Sequence, residues 1–290
     1  VLMREMLVLA GGSEASLGVM LACWLLWTAA GSGVLGRARA SNPTRRTAAL
    51  ETALALAMPC TVLAVRAAKG ALQAVPGELM SPSGMLVGAL AVCAPFCLLS
   101  GWLFAAGSRM YAVDAGASTA RATATVYLLE AAGSAVGGVL ASLVLIQSLD
   151  AVQISLLLAL LNLMAAAWLW FESAQKRRLM LALIVVAFGG VVFPVGARWL
   201  EGASLGWLWR PFQITALRNS IYGNLIVTEK EGSAALFENG LYIVTAPDPQ
   251  AAEEAVHYAL LQHPAPETLL LIGGGINGSL AEALKHPTLR

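Results

Sequence analysis

Residues Gly84–Gly107 read GMLVGALAVCAPFCLLSGWLFAAG, an apolar stretch without a single charged side chain. A helix that crosses the roughly 30 Å hydrocarbon core of a bilayer needs about 20 such residues. The stretch therefore predicts a membrane-spanning helix. The composition of the whole chain agrees, because 58% of its 290 residues are hydrophobic and only 12% are charged. Soluble domains have about 25% charged residues.

Five further stretches predict membrane-spanning helices in the same way, which brings the expected number to six. The predicted spans are Leu17–Gly36, Ala53–Val65, Gly84–Gly107, Thr123–Ile146, Ala151–Phe171 and Leu179–Ala197. Before them, an apolar run interrupted by Arg4 and Glu5 is typical of the end of an earlier helix. Because the first residue is Val1 rather than Met, we expect the chain to be cut at its N-terminus.

Basic residues are concentrated in alternate loops between the predicted spans. The first, third and fifth loops contain Arg37, Arg39, Arg45, Arg46, Arg109, Arg121, Lys176, Arg177 and Arg178. The positive-inside rule places such loops in the cytoplasm, and we expect an integral protein of a bacterial inner membrane. After six spans the C-terminal part would lie on the opposite side. Its side is left open, because a different number of spans would reverse it.

Glu130 carries the only charge in the fourth predicted span. A carboxylate inside a bilayer is costly, so it is by default a candidate for a functional site. The alternative is a structural position near the membrane surface, where Glu130 reaches lipid headgroups or pairs with Arg121 or Arg109. Both interpretations stay open.

Small residues line two of the predicted spans and predict close packing between helices. They are Gly31, Gly33 and Gly36 in the first span and Gly133, Gly137 and Gly138 in the fourth. Such faces could also hold the chain in an oligomer or a membrane complex. Cys93 and Cys97 share a helix face without a nearby histidine, so we expect no metal site.

The chain changes character near residue 200. Residues 1–200 carry a net charge of +5 and residues 201–290 one of −4. Trp199, Trp207 and Trp209 lie at this boundary and fit an interfacial aromatic belt. The acidic part has no basic face, so we expect no nucleic-acid partner.

Local patterns in the acidic part predict β-structure followed by a helix. Asn224–Lys230 contains a β-branched run, and Asn239-Gly240 between two apolar runs predicts a hairpin with a type I′ turn. Gln250–Gln262 predicts a helix with Asp248 as its N-cap and Pro249 at the first helical position.

A glycine-rich motif follows this helix. Leu269–Ile272 predicts a buried parallel strand, and Ser279–Lys285 predicts a helix. Between them, Gly273, Gly275 and Gly278 satisfy G-x-G-x-x-G in the strand–turn–helix context that nucleotide binding requires. A tight turn without a ligand is the alternative. No acidic residue follows about 20 residues later to hold a ribose, so we expect the chain to be cut at this end as well.

Several short motifs together resemble the spermidine synthases, or polyamine aminopropyltransferases. They are Ser220-Ile-Tyr-Gly223, Phe237-Glu-Asn-Gly240, Glu254-Ala-Val-His257, and Leu271-Ile-Gly-Gly-Gly-Ile-Asn-Gly278 with Glu282. The whole chain resembles the membrane-fused members of that family. The resemblance implies a β-hairpin domain followed by a Rossmann-like domain of the methyltransferase type. It also implies aminopropyl transfer from decarboxylated S-adenosylmethionine to putrescine, without a prosthetic group.

Site residues follow from the resemblance, position by position. Gly273, Gly274, Gly275 and Gly278 match the glycines that bind the donor, and His257 matches a histidine that contacts substrate. The chain also departs from the family at several positions. Ile276 replaces an aspartate that holds the aminopropyl end, and Gly223 replaces a glutamine. The resemblance places the catalytic aspartate after Arg290, so no catalytic residue is assigned here.

The sequence therefore predicts a multi-pass helical membrane region (1–199), a linker with a β-hairpin and a helix (200–262), and the start of a Rossmann-like domain (263–290). The leading hypothesis is a membrane-bound spermidine synthase-like protein. One alternative is a transferase that uses another adenosyl donor or acceptor. Another is a membrane carrier or scaffold with a non-catalytic synthase-like domain, in which Glu130 would be a determinant.

Overall fold

The structure is a computed structural model that describes residues 1–10, 12–38, 41–71, 77–172, 180, 196–219, 223–230 and 232–290. Helices make up most of the described residues between 2 and 208. They are α1 (Leu2–Leu9), α2 (Glu14–Gly33), α3 (Pro43–Ala71), α4 (Pro82–Asp114), α5 (Thr119–Leu140), α6 (Ile146–Ser148), α7 (Ala151–Glu172) and α8 (residues 196–208). A π-helical turn, Ala141–Leu145, joins α5 to α6.

Five of the helical segments are long and apolar enough to cross a membrane. They are Ala15–Arg37, Pro43–Gly70, Pro82–Asp114, Thr119–Ser148 and Ala151–Glu172. Each contains one of the first five predicted spans. The sixth predicted span, Leu179–Ala197, lies almost entirely outside the described residues. The segment around Arg4 and Glu5 forms the eight-residue helix α1, which packs against α2 and α3.

Glycines bring α2 and α4 into backbone contact. A Cβ atom built on Gly31 would collide with the carbonyl oxygen of Leu98, and one on Gly101 would collide with that of Thr28. In the first predicted span this confirms close packing at Gly31, and Gly36 is also tightly packed, against Ala105. Nothing among the described residues lies within 4 Å of a Cβ built on Gly33. Within the described part of the chain, nothing lies within 4 Å of a Cβ built on the three glycines of α5: Gly133, Gly137 and Gly138.

A four-stranded antiparallel sheet follows, with strand order β1-β2-β3-β4. Its strands are β1 (Gln213–Asn219), β2 (Asn224–Lys230), β3 (Ser233–Glu238) and β4 (Leu241–Ala246). The predicted hairpin is confirmed, because Asn239 and Gly240 join β3 to β4 with φ values of 51° and 84°. Two positive φ values are the requirement of a type I′ turn. Strand β1 was not predicted from the sequence.

The helix after the sheet is also confirmed, as α9 (Pro249–Leu260). The Asp248 side chain accepts a hydrogen bond from the Ala251 amide, which satisfies one of the free N–H groups of the first turn.

After α9, the prediction of a strand over Leu269–Ile272 is wrong for this structure. These residues form no strand, and Leu270 and Ile272 are 84% and 88% exposed. A strand persists only when a neighbour pairs with its backbone, and the described residues bring none to this position.

The sheet packs against one end of the helical part. Arg4 of α1 donates to the Gly223 carbonyl at 2.6 Å, and the Gly77 amide donates to the Gly240 carbonyl at 3.2 Å. Trp209 is fully buried in the same contact and stacks edge-on against Phe237 at 4.9 Å. The expected place of Trp209 in an exposed aromatic belt is therefore wrong, whereas Trp199 and Trp207 are exposed.

The basic first and third loops lie together, and the sheet packs elsewhere. Arg109, at the end of α4, donates to the carbonyl oxygens of Gly36 and Ala38 in the first loop. The sheet instead contacts α1 and Gly77 in the second loop, which follows the far end of α3. Since α3 crosses the bundle, the sheet lies at the end opposite to the basic loops.

Candidate functional site

The glycine-rich loop turns sharply because three of its glycines adopt left-handed backbone angles. Gly273, Gly274 and Gly278 have φ values of 78°, 70° and 106°, which side-chain-bearing residues rarely adopt. Asn277 stabilises the turn, since its Oδ1 accepts from the amide and the hydroxyl of Ser279 at 3.1 and 2.8 Å. The loop then opens into α10 (Ser279–Ala283). The structure thus provides the tight turn that the motif predicted, with a shorter helix than expected.

The loop lies at the start of α9. The Asp248 amide donates to the Asn277 carbonyl at 3.3 Å. A Cβ atom on Gly278 would lie 3.8 Å from the Cβ of Ala252. Gly275 faces open space among the described residues, and Ile276 is 66% exposed. A ligand could therefore approach the backbone on the side of Gly275 and Ile276.

His257 of α9 connects two parts of the C-terminal segment. Its Nε2 lies 3.2 Å from Oε2 of Glu282, and its Nδ1 lies 2.8 Å from Nε2 of His286. Glu282 is only 8% exposed and also accepts a hydrogen bond from Lys285 Nζ at 2.7 Å. The hydrogen bond from Lys285, followed by the contact with His257, lowers the pKa of Glu282. The two motifs of the resemblance that contain His257 and Glu282 are therefore in direct contact.

Both ring nitrogens of His257 are engaged by other side chains. The substrate contact expected for His257 thus stays a prediction. The two nitrogens point to opposite sides of the ring, so Glu282 and His286 cannot converge with His257 on one metal ion. In line with this, no group of three or more His, Cys, Asp or Glu side chains among the described residues could hold a metal. His286 was given no role from the sequence, because nothing local links it to a residue 29 positions away.

The Glu282 contacts give a pH prediction. A carboxyl whose pKa is lowered in the folded protein stabilises the folded state at pH values above its ordinary pKa of 4.5. This contribution is lost as the pH falls through the lowered pKa. We expect the hydrogen-exchange protection of α9 and α10, corrected for the intrinsic exchange rate at each pH, to fall on acidification below about pH 4.5. Glu282→Gln should flatten that dependence and leave exchange in β2 and β3 as it is. An unchanged pH profile in Glu282→Gln would show that Glu282 does not stabilise the contact.

Two further motifs of the resemblance, the one that ends at Gly223 and the one that contains Asn239, meet where β2 begins and β3 ends. The Asn224 amide donates to Oδ1 of Asn239 at 2.9 Å, and the Asn239 amide donates to the Asn224 carbonyl at 2.8 Å. A Cβ atom on Gly223 would lie only 2.8 Å from Nδ2 of Asn239. A side chain at position 223, where the family has glutamine, would therefore require the Asn239 amide to move. Residues 220–222 of this motif lie outside the described residues.

Glu130 stands apart from both groups of residues. It lies on α5, whose principal contact with a neighbouring helix is with α4, and its side chain is exposed. The structure does not bring Glu130 near the glycine-rich loop or His257. Its functional and structural interpretations both stay predictions.

Comparison with known proteins relates part of this chain to one enzyme class. It is 26% identical over 181 residues to a polyamine aminopropyltransferase of Oceanobacillus iheyensis, a match that covers 61% of this chain and 35% of that protein. It is 35% identical over 68 residues to polyamine aminopropyltransferase 1 of Bacillus cereus, covering 23% of this chain and 24% of that protein. A polyamine aminopropyltransferase of Leptospira biflexa is 40% identical over 53 residues, covering 18% and 19%.

These matches support a spermidine synthase-like relation over part of the chain. The chain spans about a third or less of the length of these curated relatives. The match to the Oceanobacillus protein is longer than residues 200–290, so it extends into the helical part. No family profile matches the chain, and no solved structure matches it either.

Proposed function

We propose that this chain is part of a membrane-bound, spermidine synthase-like transferase that binds an adenosyl donor at the loop Gly273–Gly278. The observation that carries the proposal is the loop itself, with three left-handed glycines and an open backbone at Gly275. Such a turn lets a nucleoside ligand approach the main chain closely. The partial identity to polyamine aminopropyltransferases supports the same conclusion. Residues 263–290 would then belong to a Rossmann-like unit.

The reaction is aminopropyl transfer from decarboxylated S-adenosylmethionine to a polyamine. The amine nitrogen attacks the propyl carbon next to the sulfonium and forms a C–N bond. The C–S bond breaks, its electron pair stays on sulfur as a neutral thioether, and the nitrogen loses a proton to a base. We assign no base in this chain. Its residues would bind and orient the donor, and no prosthetic group is needed.

Ile276 gives this proposal a test by gain of function. An apolar side chain cannot pair with the cationic aminopropyl end of the donor, whereas a carboxylate can. Because Ile276 is 66% exposed, Ile276→Asp should leave the fold intact. We expect it to bind decarboxylated S-adenosylmethionine at least tenfold more tightly than the wild type, as an added charge-assisted hydrogen bond of about 1.5 kcal/mol would give. Isothermal titration of the full chain measures this.

The neutral variant Ile276→Asn is the matched control, because it adds polarity without charge. It should bind the donor no more than about threefold more tightly than the wild type, since a neutral hydrogen bond contributes about half as much as a charged one. If Ile276→Asp and Ile276→Asn bound equally, the loop would not hold the aminopropyl end.

A second candidate is a membrane scaffold whose synthase-like domain is not catalytic. It is favoured by the position of the sheet at the end opposite to the basic loops, which the positive-inside rule would place outside the cytoplasm. Adenosyl donors are made in the cytosol, so an external domain would not reach them. A reporter fused after Arg290 separates the two, because a cytoplasmic signal favours the transferase and an external signal favours the scaffold.

A transferase with another adenosyl donor or acceptor is the remaining alternative, and Ile276 favours it. S-adenosylmethionine itself should then compete with the decarboxylated form in the same titration.

Under each of these alternatives the proposed location of the chain is a membrane, most simply a bacterial inner membrane. The five long apolar helices support this location.

A further inference from the structure

A buried ion cluster joins three helices beneath the sheet. Arg66 of α3 is 2% exposed and donates through Nε and Nη2 to the two carboxylate oxygens of Glu5, at 2.7 and 3.0 Å. Its Nη2 also donates to Glu201 of α8 at 2.8 Å, and its Nη1 donates to Ser204 at 2.7 Å. The second oxygen of Glu201 accepts from the Val152 amide at 3.2 Å. Four of the five N–H bonds of Arg66 are thus used.

A cavity of about 30 Å³ lies between this cluster and the sheet. Its wall includes Arg66, Glu201 and Glu5 on the helical side, and Trp209 and Asn224 on the side of the sheet. A water molecule needs about 10–15 Å³ of such space and two to four polar partners. The cavity therefore has room for about one to three water molecules.

Two residues that line the cavity each have a buried polar atom without a partner among the described residues. These atoms are Nε1 of Trp209, a donor, and Oδ1 of Asn224, an acceptor. Trp209 is 0% exposed and Asn224 is 9% exposed. The other amide atom of Asn224 donates to Asn219 Oδ1 at 2.7 Å. A buried donor or acceptor that makes no hydrogen bond destabilises the folded state by about 1–3 kcal/mol. Such atoms therefore normally have a hydrogen-bond partner, either protein or ordered water.

The charges of the wall favour a neutral ligand. Four ionisable side chains line the cavity: the cations Arg4 and Arg66 and the carboxylates Glu5 and Glu201. The charges of these four side chains balance, and Arg66 already pairs with both carboxylates, so the wall offers no unpaired carboxylate to a cation. Trp209 Nε1 lacks an acceptor and Asn224 Oδ1 lacks a donor among the described residues. A single water molecule can supply both.

We propose that the cavity binds one ordered water molecule, which accepts a hydrogen bond from Trp209 Nε1 and donates one to Asn224 Oδ1. The water joins Trp209, which directly follows α8, to Asn224 of β2, whose backbone already pairs with the Asn239 turn. It thereby ties the sheet to the helical bundle. The proposal is independent of the transferase function.

The test uses the full chain in lipid nanodiscs with ¹⁵N-labelled tryptophan, and it measures magnetisation transfer between water and the indole protons. The indole signal of Trp209 is assigned by its loss in Trp209→Phe. We expect a cross-peak to long-lived water at Trp209, reduced at least twofold in Asn224→Leu. The remaining seven of the eight indole signals report that each variant is folded.

Two tryptophans serve as internal controls. Trp102 Nε1 is also buried without a partner among the described residues but does not line this cavity, so Asn224→Leu should leave its signal unchanged. Trp199 is 74% exposed, so its indole proton should exchange rapidly with bulk water. The proposal is wrong if Trp209 shows no cross-peak, if it exchanges like Trp199, or if Asn224→Leu leaves its cross-peak unchanged.

Discussion

Arg66→Met should lower the free energy of unfolding by about 3–5 kcal/mol, the cost of removing one partner from a buried ion pair. The substitution leaves the carboxylates of Glu5 and Glu201 together without their shared cation. Both are nearly buried, at 8% and 7% exposure. Burial already raises the pKa of Glu201 despite the hydrogen bond from Arg66, so losing Arg66 removes the main group that keeps it charged. Chemical unfolding in detergent micelles measures the effect.

Arg45→Met is the matched control for this prediction. Arg45 lies in the first turn of the same helix α3, but its side chain is exposed. Exposed substitutions usually change stability by no more than about 0.5 kcal/mol. The triple variant Arg66→Met, Glu5→Leu, Glu201→Leu should recover most of the lost stability, because an apolar core replaces the whole cluster. A loss of less than 1 kcal/mol in Arg66→Met would contradict the structural role of the cluster.

Gly31→Ala and Gly101→Ala should each destabilise the helical bundle by about 1–3 kcal/mol, the usual cost of overpacking. Each new methyl group would collide with a backbone carbonyl of the facing helix, and a backbone atom cannot rotate away as a side chain can. The cost must also exceed the gain of up to about 1 kcal/mol that Ala has over Gly in a helix. Thermal unfolding followed by helical circular dichroism measures it.

Two other glycines on the same helices provide controls of opposite sign. Gly18 of α2 and Gly107 of α4 have nothing within 4 Å of a built Cβ atom among the described residues. Gly18→Ala and Gly107→Ala should therefore be neutral or slightly stabilising. Equal effects at Gly31 and Gly18 would mean that α2 and α4 do not cross as described.

Features governed by neighbouring residues could be predicted from the sequence. The apolar length of the first five predicted spans, the Asn239-Gly240 turn and the Asp248 cap each depend on a few consecutive residues, and each is confirmed. The glycine-rich turn at Gly273–Gly278 belongs to the same group. The predicted strand Leu269–Ile272 does not belong to this group, because a strand depends on a pairing partner that no local pattern supplies.

Features made by distant residues could not be predicted. Arg66 lies 61 positions from Glu5 and 135 from Glu201, and the sequence shows these charges only as loop or helix-end residues. Trp209 was expected at the membrane surface because it follows Trp199 and Trp207 closely in the sequence. Its burial depends on Phe237, which the sheet brings to it. The same limit explains why His286 was missed as a partner of His257.

Donor binding by the full chain tests the central claim most directly. Isothermal titration with decarboxylated S-adenosylmethionine should show one site in the wild type. Gly275→Leu should abolish binding without unfolding the chain, because Gly275 faces open space and its backbone is not left-handed. Gly206→Leu, at an equally open position on α8, should bind as the wild type does. Absence of binding to the wild type, or equal binding by Gly275→Leu, would contradict the claim that this loop holds an adenosyl donor.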